Sequence, residues 1–228
     1  PDAVVLVATI RALKYNGGVA KADLVVAATS RDEVNMLACL IAKKLGAKAT
    51  IARVRSYEYN QNIELMKDAL GIQMTINPEL EAANEIMNII NFPEANRVDT
   101  FANGNVDLVE LFIPENSPLI GLTLANISTK YQVKILVCAV QRGEEVFIPT
   151  GNFTFQAKDK IHITASRLVV KDFLKKLGLI ETKMKDILVI GGGKISTYLA
   201  DQLIKGKYNV KIIEKDYERC LELSELLP

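Results

Sequence analysis

Ile187-Leu188-Val189-Ile190-Gly191-Gly192-Gly193-Lys194-Ile195-Ser196 runs a short apolar stretch straight into a cluster of glycines. A second apolar stretch, Asn209 to Ile213, ends in Glu214. These residue types at this spacing suit recognition of a dinucleotide. Glycines let the backbone approach a pyrophosphate at a helix N-terminus, where free N–H groups and the helix dipole favour negative charge. An acid about twenty residues further on accepts bonds from ribose hydroxyls. Gly191, Gly193 and Glu214 are therefore the leading candidates for cofactor contact. Ser196 stands where the fingerprint prefers Gly or Ala, which loosens the approach of helix to strand. The plainer alternative is a sheet turn with an exposed terminal acid. A complete fold of this kind takes roughly a hundred residues or more. The sequence reaches Pro228 first, so the unit is a cut-off copy or its remainder lies elsewhere.

A second group of candidates sits near the front of the chain. Ala22 to Ala28 reads as a nearly all-apolar strand, as when helices cover both faces of a sheet. Thr29, Ser30 and Asn35 lie at or just beyond its carboxyl end, where open α/β sheets bind ligands. Ser30 with Glu33 also forms a capping box, so Ser30 doubles as the expected N-cap. The following helix is expected to bury Val34, Leu37, Ala38, Ile41 and Leu45 and to stop at Gly46. Thr50 to Val54 is a second strand, Asn62 to Leu70 a helix and Ile72 to Ile76 a third strand. Arg53 has the fork geometry for a phosphate, with a surface ion pair as the alternative. Asn77-Pro78-Glu79 opens the next helix as N-cap and first turn. Glu79 suits the positive end of that helix dipole. Leu80, Ala83, Met87 and Ile90 form its apolar stripe, fit either for the chain's own sheet or for another subunit.

Composition narrows the function classes. The 28 basic and 27 acidic residues are mixed and nearly cancel, leaving no electrostatic footprint for nucleic acid. No apolar run approaches the ~18 residues that cross a bilayer. Cys39, Cys138 and Cys220 are far apart, with no CxxC, and read as buried thiols of a reducing cytosol. His162 is the only histidine and lies in an alternating strand that turns it outward. A histidine metal site is thereby nearly excluded, no metal ligands are assigned, and no nucleophile, base and orienter come together. Residues 97–179 change texture to short strands at 106–113, 134–140, 145–148 and 159–165, with helices near 119–127 and 169–177. That is a small α+β module, followed by a charged linker at 181–185.

Residues 22–29 and 32–39, with Ala52-Arg53-Val54-Arg55 and Asn77-Pro78-Glu79-Leu80-Glu81-Ala82-Ala83, resemble the regulatory-subunit family of Trk-type potassium uptake systems. So do Glu110 to Gly121 and Phe147-Ile148-Pro149-Thr150-Gly151, which are similar to that family's C-terminal ligand module. Members carry a nucleotide-binding domain and a C-terminal module, each twice. The resemblance implies a partial Rossmann-like parallel sheet at 21–95, the rear of copy one. It then implies an α+β regulatory module at 97–179 and the start of a second Rossmann-like unit at 185–228. Residues 1–20 are an atypical segment that resembles a piece of formate–tetrahydrofolate ligase, although that enzyme's phosphate loop is nowhere in the chain. Neither end reads as a natural terminus.

The expectation is a cytosolic, non-enzymatic regulator, peripheral at the inner face of the membrane. It would bind NAD(H) or an adenine nucleotide (ATP or ADP) and gate a potassium-translocating membrane subunit as a homo-oligomeric ring. In that family setting Glu79 would also approach the nucleotide or its cation. The alternative is an NAD-dependent oxidoreductase, for which residues 97–179 supply no evident acid or base.

Overall fold

The structure is a computed structural model that describes residues 18–93, 95–101, 106–179 and 185–227. The segment 1–17 and most of the linker at 181–185 lie outside the described residues, so the expectations placed on them are not addressed by the fold. The architecture is mixed α/β. One compact unit joins residues up to Glu85 with those from Asp186 onward, and Ile86–Lys185 form the other.

The first unit holds two parallel sheets. Strands β1 (Leu24–Ala27), β2 (Ala49–Arg53) and β3 (Met74–Ile76) pair in that order, with Val26 opposite Ile51 and Ile51 opposite Met74. Helices α1 (Asp32–Leu45) and α2 (Tyr57–Leu70) supply the connections, as parallel neighbours require a crossover. Ala27, Met36, Cys39, Ala52, Val54, Ile63 and Ile72 form the core beneath them. Leu24 and Val26, however, are 50% and 55% exposed. Among the described residues the expected cover is present on one face only.

Helix α1 also buries a different stripe from the expected one. Ala38 is buried as expected, but Leu37 is exposed and Val34, Ile41 and Leu45 are half-buried, while Asp32, Asn35, Met36, Cys39 and Ala42 face inward. Asp32 and Asn35 turn the helix because each satisfies backbone groups of the neighbouring loops. Ser30 is not the N-cap: that position is Arg31, and no side chain caps it. Helix α2 begins five residues before the expected start, after Ser56. Helix α3 (Pro78–Asn91) opens as expected, with the Asn77 side chain accepting from Leu80 N at 3.0 Å. Its stripe is buried at Ala83 and Met87 and half-buried at Leu80 and Ile90, whereas Ile86 and Ile89 are the exposed apolar residues. Cys39 is buried, and burial raises its thiol above the ordinary value. Cys220 is intermediate and Cys138 exposed, against the expectation of three buried thiols.

The second unit is built on an antiparallel sheet ordered β4-β5-β8-β6-β7. Its strands are β4 (Ala95–Phe101), β5 (Val106–Phe112), β6 (Leu136–Arg142), β7 (Glu145–Phe147) and β8 (Lys160–Ala165). Strand β4 escapes the pattern reading because Asn96, Arg97 and Asp99 break its apolar alternation. Helix α4 (Leu124–Tyr131) starts later than expected, at a Thr123 cap that accepts from Asn126 N. Helix α5 is Arg167–Lys176. Val109, Leu111, Phe155, Ile161, Ile163 and Phe173 are among the residues of the core. His162 faces away from that core, opposite Glu110 on β5, while Ile161 and Ile163 point inward.

Two buried acids pin this unit. Asp159 takes both Nε and Nη2 of Arg142, at 2.7 and 2.8 Å, and Asp107 is held likewise by Arg167. Neither acid is exposed, so each depends on its partner: removing one side of a buried pair leaves an uncompensated charge. Arg142 also lies over the rings of Phe147 and Phe153. Replacing Arg142 with Met keeps much of that packing and removes the charge. It should cost roughly 3 kcal/mol, read as a lowered denaturant midpoint at unchanged slope. A cost below about 1 kcal/mol would mean the pair adds no more than a surface bridge.

Candidate functional site

The glycine cluster lies between β9 (Asp186–Ile190) and α6 (Lys194–Lys205), which is followed by β10 (Asn209–Ile213) and α7 (Tyr217–Leu226). β9 and β10 pair in parallel with Ile190 opposite Ile213, so both strands end at one edge. Gly191 has φ 96°, a conformation that side-chain-bearing residues rarely adopt. Gly192 is closely approached: an added Cβ would come within 2.6 Å of Leu223 Cδ1 and 3.1 Å of Glu214 Oε2, so those side chains would have to shift. Gly193 is the N-cap of α6, and a Cβ built there would meet nothing within 4 Å. Open space in front of free helix N–H groups is what an incoming phosphate needs. Ser196, in the first turn of α6, is half-buried.

Glu214 closes the turn from the other side. Its Oε2 accepts from Gly192 N at 2.6 Å, and its Oε1 accepts from Lys215 N at 2.6 Å and Asp216 N at 3.0 Å. Arg219 on α7 completes the arrangement, donating from Nε to the Gly192 carbonyl at 2.7 Å and from Nη2 to Thr197 Oγ1 at 2.9 Å. Sequence reasoning missed Arg219, and no motif spacing marks it. The pattern signals the glycines and the acid, not the cation that packs against them.

At the head of the first sheet the candidates divide. Asn35 is fully buried, and its Oδ1 accepts from both the N–H and the hydroxyl of Thr29, each at 2.7 Å. Its Nδ2 donates to the carbonyls of Thr29 and Arg53. Asn35 thus shapes the loop rather than presenting itself to a ligand. Thr29 and Ser30 remain exposed, with the Ser30 carbonyl accepting from Arg55 Nη2. Arg53 and Glu79 are brought together, Nη2 to Oε1 at 3.3 Å. Arg53 Nε and Glu79 Oε2 are buried with no hydrogen-bond partner among the protein atoms. Such atoms are exceptions to the rule that buried polar atoms are satisfied. Asp32 and Arg55, also missed as site residues, bond to each other.

His162 belongs to the other unit. The groups gathered here are backbone donors, guanidinium groups and carboxylates, which have the chemistry to hold anionic or hydroxyl-bearing ligands. Among the described residues of this site, no side chain is arranged as a nucleophile beside a base.

The Glu214 contacts carry a pH signature. Hydrogen bonds from the backbone N–H groups of Asp216, Gly192 and Lys215 hold its carboxyl below the usual glutamate value. The folded value is depressed, so this stabilisation is present above the unfolded value of about 4.3. It is lost only as pH falls through the lower folded value. The Gly192 amide resonance should therefore titrate below the ordinary glutamate range, and Glu214→Gln should abolish that titration. A midpoint at the ordinary value would contradict the geometry.

Comparison with known proteins agrees with this layout. The family model of the TrkA-N domain matches residues 2–78 and 187–227, and that of the TrkA-C domain matches 108–178. The TrkA-N match starts at residue 2 and so takes in the segment 1–20 that reads as atypical; its likeness to a folate ligase is unsupported. The Trk system potassium uptake protein TrkA homolog of Archaeoglobus fulgidus is 34% identical over 209 residues, 92% of this chain and 47% of that protein. The TrkA protein of Halomonas elongata is 34% identical over 213 residues, 92% and 46% respectively. The chain spans about half the length of these relatives. In fold it is similar to the crystal structure of the GsuK RCK domain, with TM-score 0.53 and 16% identity over 91% of this chain and 44% of that one. A GsuK channel bound to NAD aligns at TM-score 0.50 and 16% identity, over 88% and 38%. With one family model matching in two pieces around the other, over the same strands and glycine turn described above, this chain belongs to the family of TrkA-N and TrkA-C domain proteins.

Proposed function

We propose that this chain is part of a nucleotide-binding regulatory subunit of a potassium uptake system, cytosolic and peripheral to a potassium-translocating membrane partner. The observation that supports this most is the glycine turn: Gly191 in a left-handed conformation, open space before Gly193 and a carboxylate, Glu214, at the end of the next strand. NAD(H) or an adenine nucleotide would place its pyrophosphate against Gly191, Gly193 and Ser196 and its ribose near Glu214. At the first sheet, Thr29, Ser30, Arg53 and Glu79 would contact a ligand, with Asn35 holding the loop. The unsatisfied Arg53 Nε is a donor that suits a phosphate or hydroxyl oxygen, whereas the unsatisfied Glu79 Oε2 is an acceptor that suits a hydroxyl. The relatives named as potassium uptake proteins and the fold shared with a channel's RCK domain support a transport role, and a ring of several copies is the assembly we infer. Residues 21–95 would be the rear of one nucleotide-binding domain, 97–179 the C-terminal module, and 185–228 the front of a second domain.

Gating needs a nucleotide to prefer one conformation, because equal affinity for both shifts nothing. No hydride chemistry is required. NMR titration with NADH and with ATP should move the Gly191–Ser196 amides first. Gly193→Asp, which sets a side chain and a charge against the phosphate, should weaken that response at least tenfold. Shifts that ignore Gly193→Asp would overturn the assignment. Nucleotide should also alter potassium flux only with the membrane partner present. Steady NADH oxidation that vanishes in His162→Ala would instead establish an oxidoreductase.

A further inference from the structure

Tyr198 lies on α6, one residue after Thr197, and is only 3% exposed. Its hydroxyl reaches across to the first sheet's loops. It is 3.0 Å from the Ser56 carbonyl and 3.2 Å from the Arg55 carbonyl, sharing its one proton between them, and accepts from Asn77 Nδ2 at 2.8 Å. Its ring packs on Tyr57, with centroids 5.4 Å apart. One turn on, Gln202 donates to Asn84 at 2.7 Å.

The segment that Tyr198 grips is held from its opposite side as well. The Arg55 and Ser56 N–H groups both donate to Asp32 Oδ2, at 2.8 and 2.7 Å. The Arg55 side chain adds a bond to the same carboxylate, and Arg53 and Arg55 both approach Glu79. A two-residue stretch of backbone is therefore clamped, its amides by an acid of α1 and its carbonyls by a hydroxyl of α6. At the same N-terminal end of α6, Arg219 bonds Gly192 and Thr197. Beside this attachment, Ser56, Glu58, Lys194, Thr197 and Arg219 are among the residues lining a cavity of about 400 Å³. The N-terminal ends of α2 and α6 are thus joined by these polar bonds and by the Tyr57–Tyr198 ring contact, with the cavity beside them.

We propose that Tyr198 is a positioning residue that couples the glycine turn to the Arg53–Ser56 loop, so that a displacement of α6 is felt at the first sheet's ligand loops. The coupling is a property of the free protein. Its meaning for regulation rests on the regulator reading above, but its test does not, because no nucleotide is needed. Residues of one hydrogen-bonded network should show interaction energies, whereas distant residues with no shared partner should add.

The experiment is amide hydrogen exchange on the full chain without ligand. Tyr198→Phe keeps the ring and removes the hydroxyl, and should speed exchange at Arg55–Asn60 tenfold or more, with 106–165 unchanged. Arg219→Gln, which releases the glycine turn, should also speed exchange at Arg55–Asn60. In the Tyr198→Phe background it should add nothing there. Asn77→Ser keeps the helix cap and removes the Nδ2 bond to the Tyr198 hydroxyl, together with a longer one to Asn60, so it is read at Arg55–Tyr59. It should act in the same direction with smaller amplitude, and it serves as the test if Tyr198→Phe does not fold. Additive effects of Arg219→Gln and the Tyr198 or Asn77 change, or no change at Arg55–Asn60, would overturn the proposal.

Discussion

The carboxylate of Asp32 organises the head of the first sheet. It is 5% exposed, an expensive place for a charge unless its oxygens are filled. Two backbone N–H groups and the Arg55 guanidinium fill them. That requirement fixes which face of α1 turns inward and holds the β2–α2 connection against the start of α1. It also leaves the Arg55 and Ser56 carbonyls directed toward Tyr198. Asn35, three residues later on the same face, does the equivalent work for Thr29 and Arg53. The loops that would meet a ligand are thus positioned by buried polar bonds rather than by apolar packing. A buried network of this kind specifies one geometry only when it is fully satisfied. Its exceptions, at Arg53 and Glu79, are therefore the informative atoms.

The glycine turn obeys the same logic with opposite chemistry. Glu214 supplies an internal anion to Gly192, while Arg219 supplies a cation to the carbonyl of that residue. The two charges hold the turn in shape without entering the open space in front of Gly193. A ligand phosphate would meet a preformed turn, and little ordering entropy would be lost on binding.

Much of this was legible in the sequence. Glycine chemistry and the Asn77-Pro78 helix start are local, so residue type alone reveals them. The parallel arrangement followed from strands alternating with helices. What was hidden depends on distant partners. The stripe of α1 was misread because Val34, Leu37 and Ile41 make the better apolar pattern, while Asp32 and Asn35 are polar residues with buried tasks. Ser30 satisfied the capping-box spacing, yet the helix begins one residue later, with the Thr29 loop held by Asn35. Tyr198 and Arg219 carry no motif: their roles appear only once α6 and α7 are set beside the loops they bond.

Photoaffinity labelling with an azido-adenine nucleotide, followed by peptide mapping, tests the central claim most directly. The account predicts label on the peptides carrying Gly191–Ser196 and Glu214, and competition by unmodified NADH or ATP. Label confined to the antiparallel module at 106–165, with the glycine turn unmarked, would contradict it.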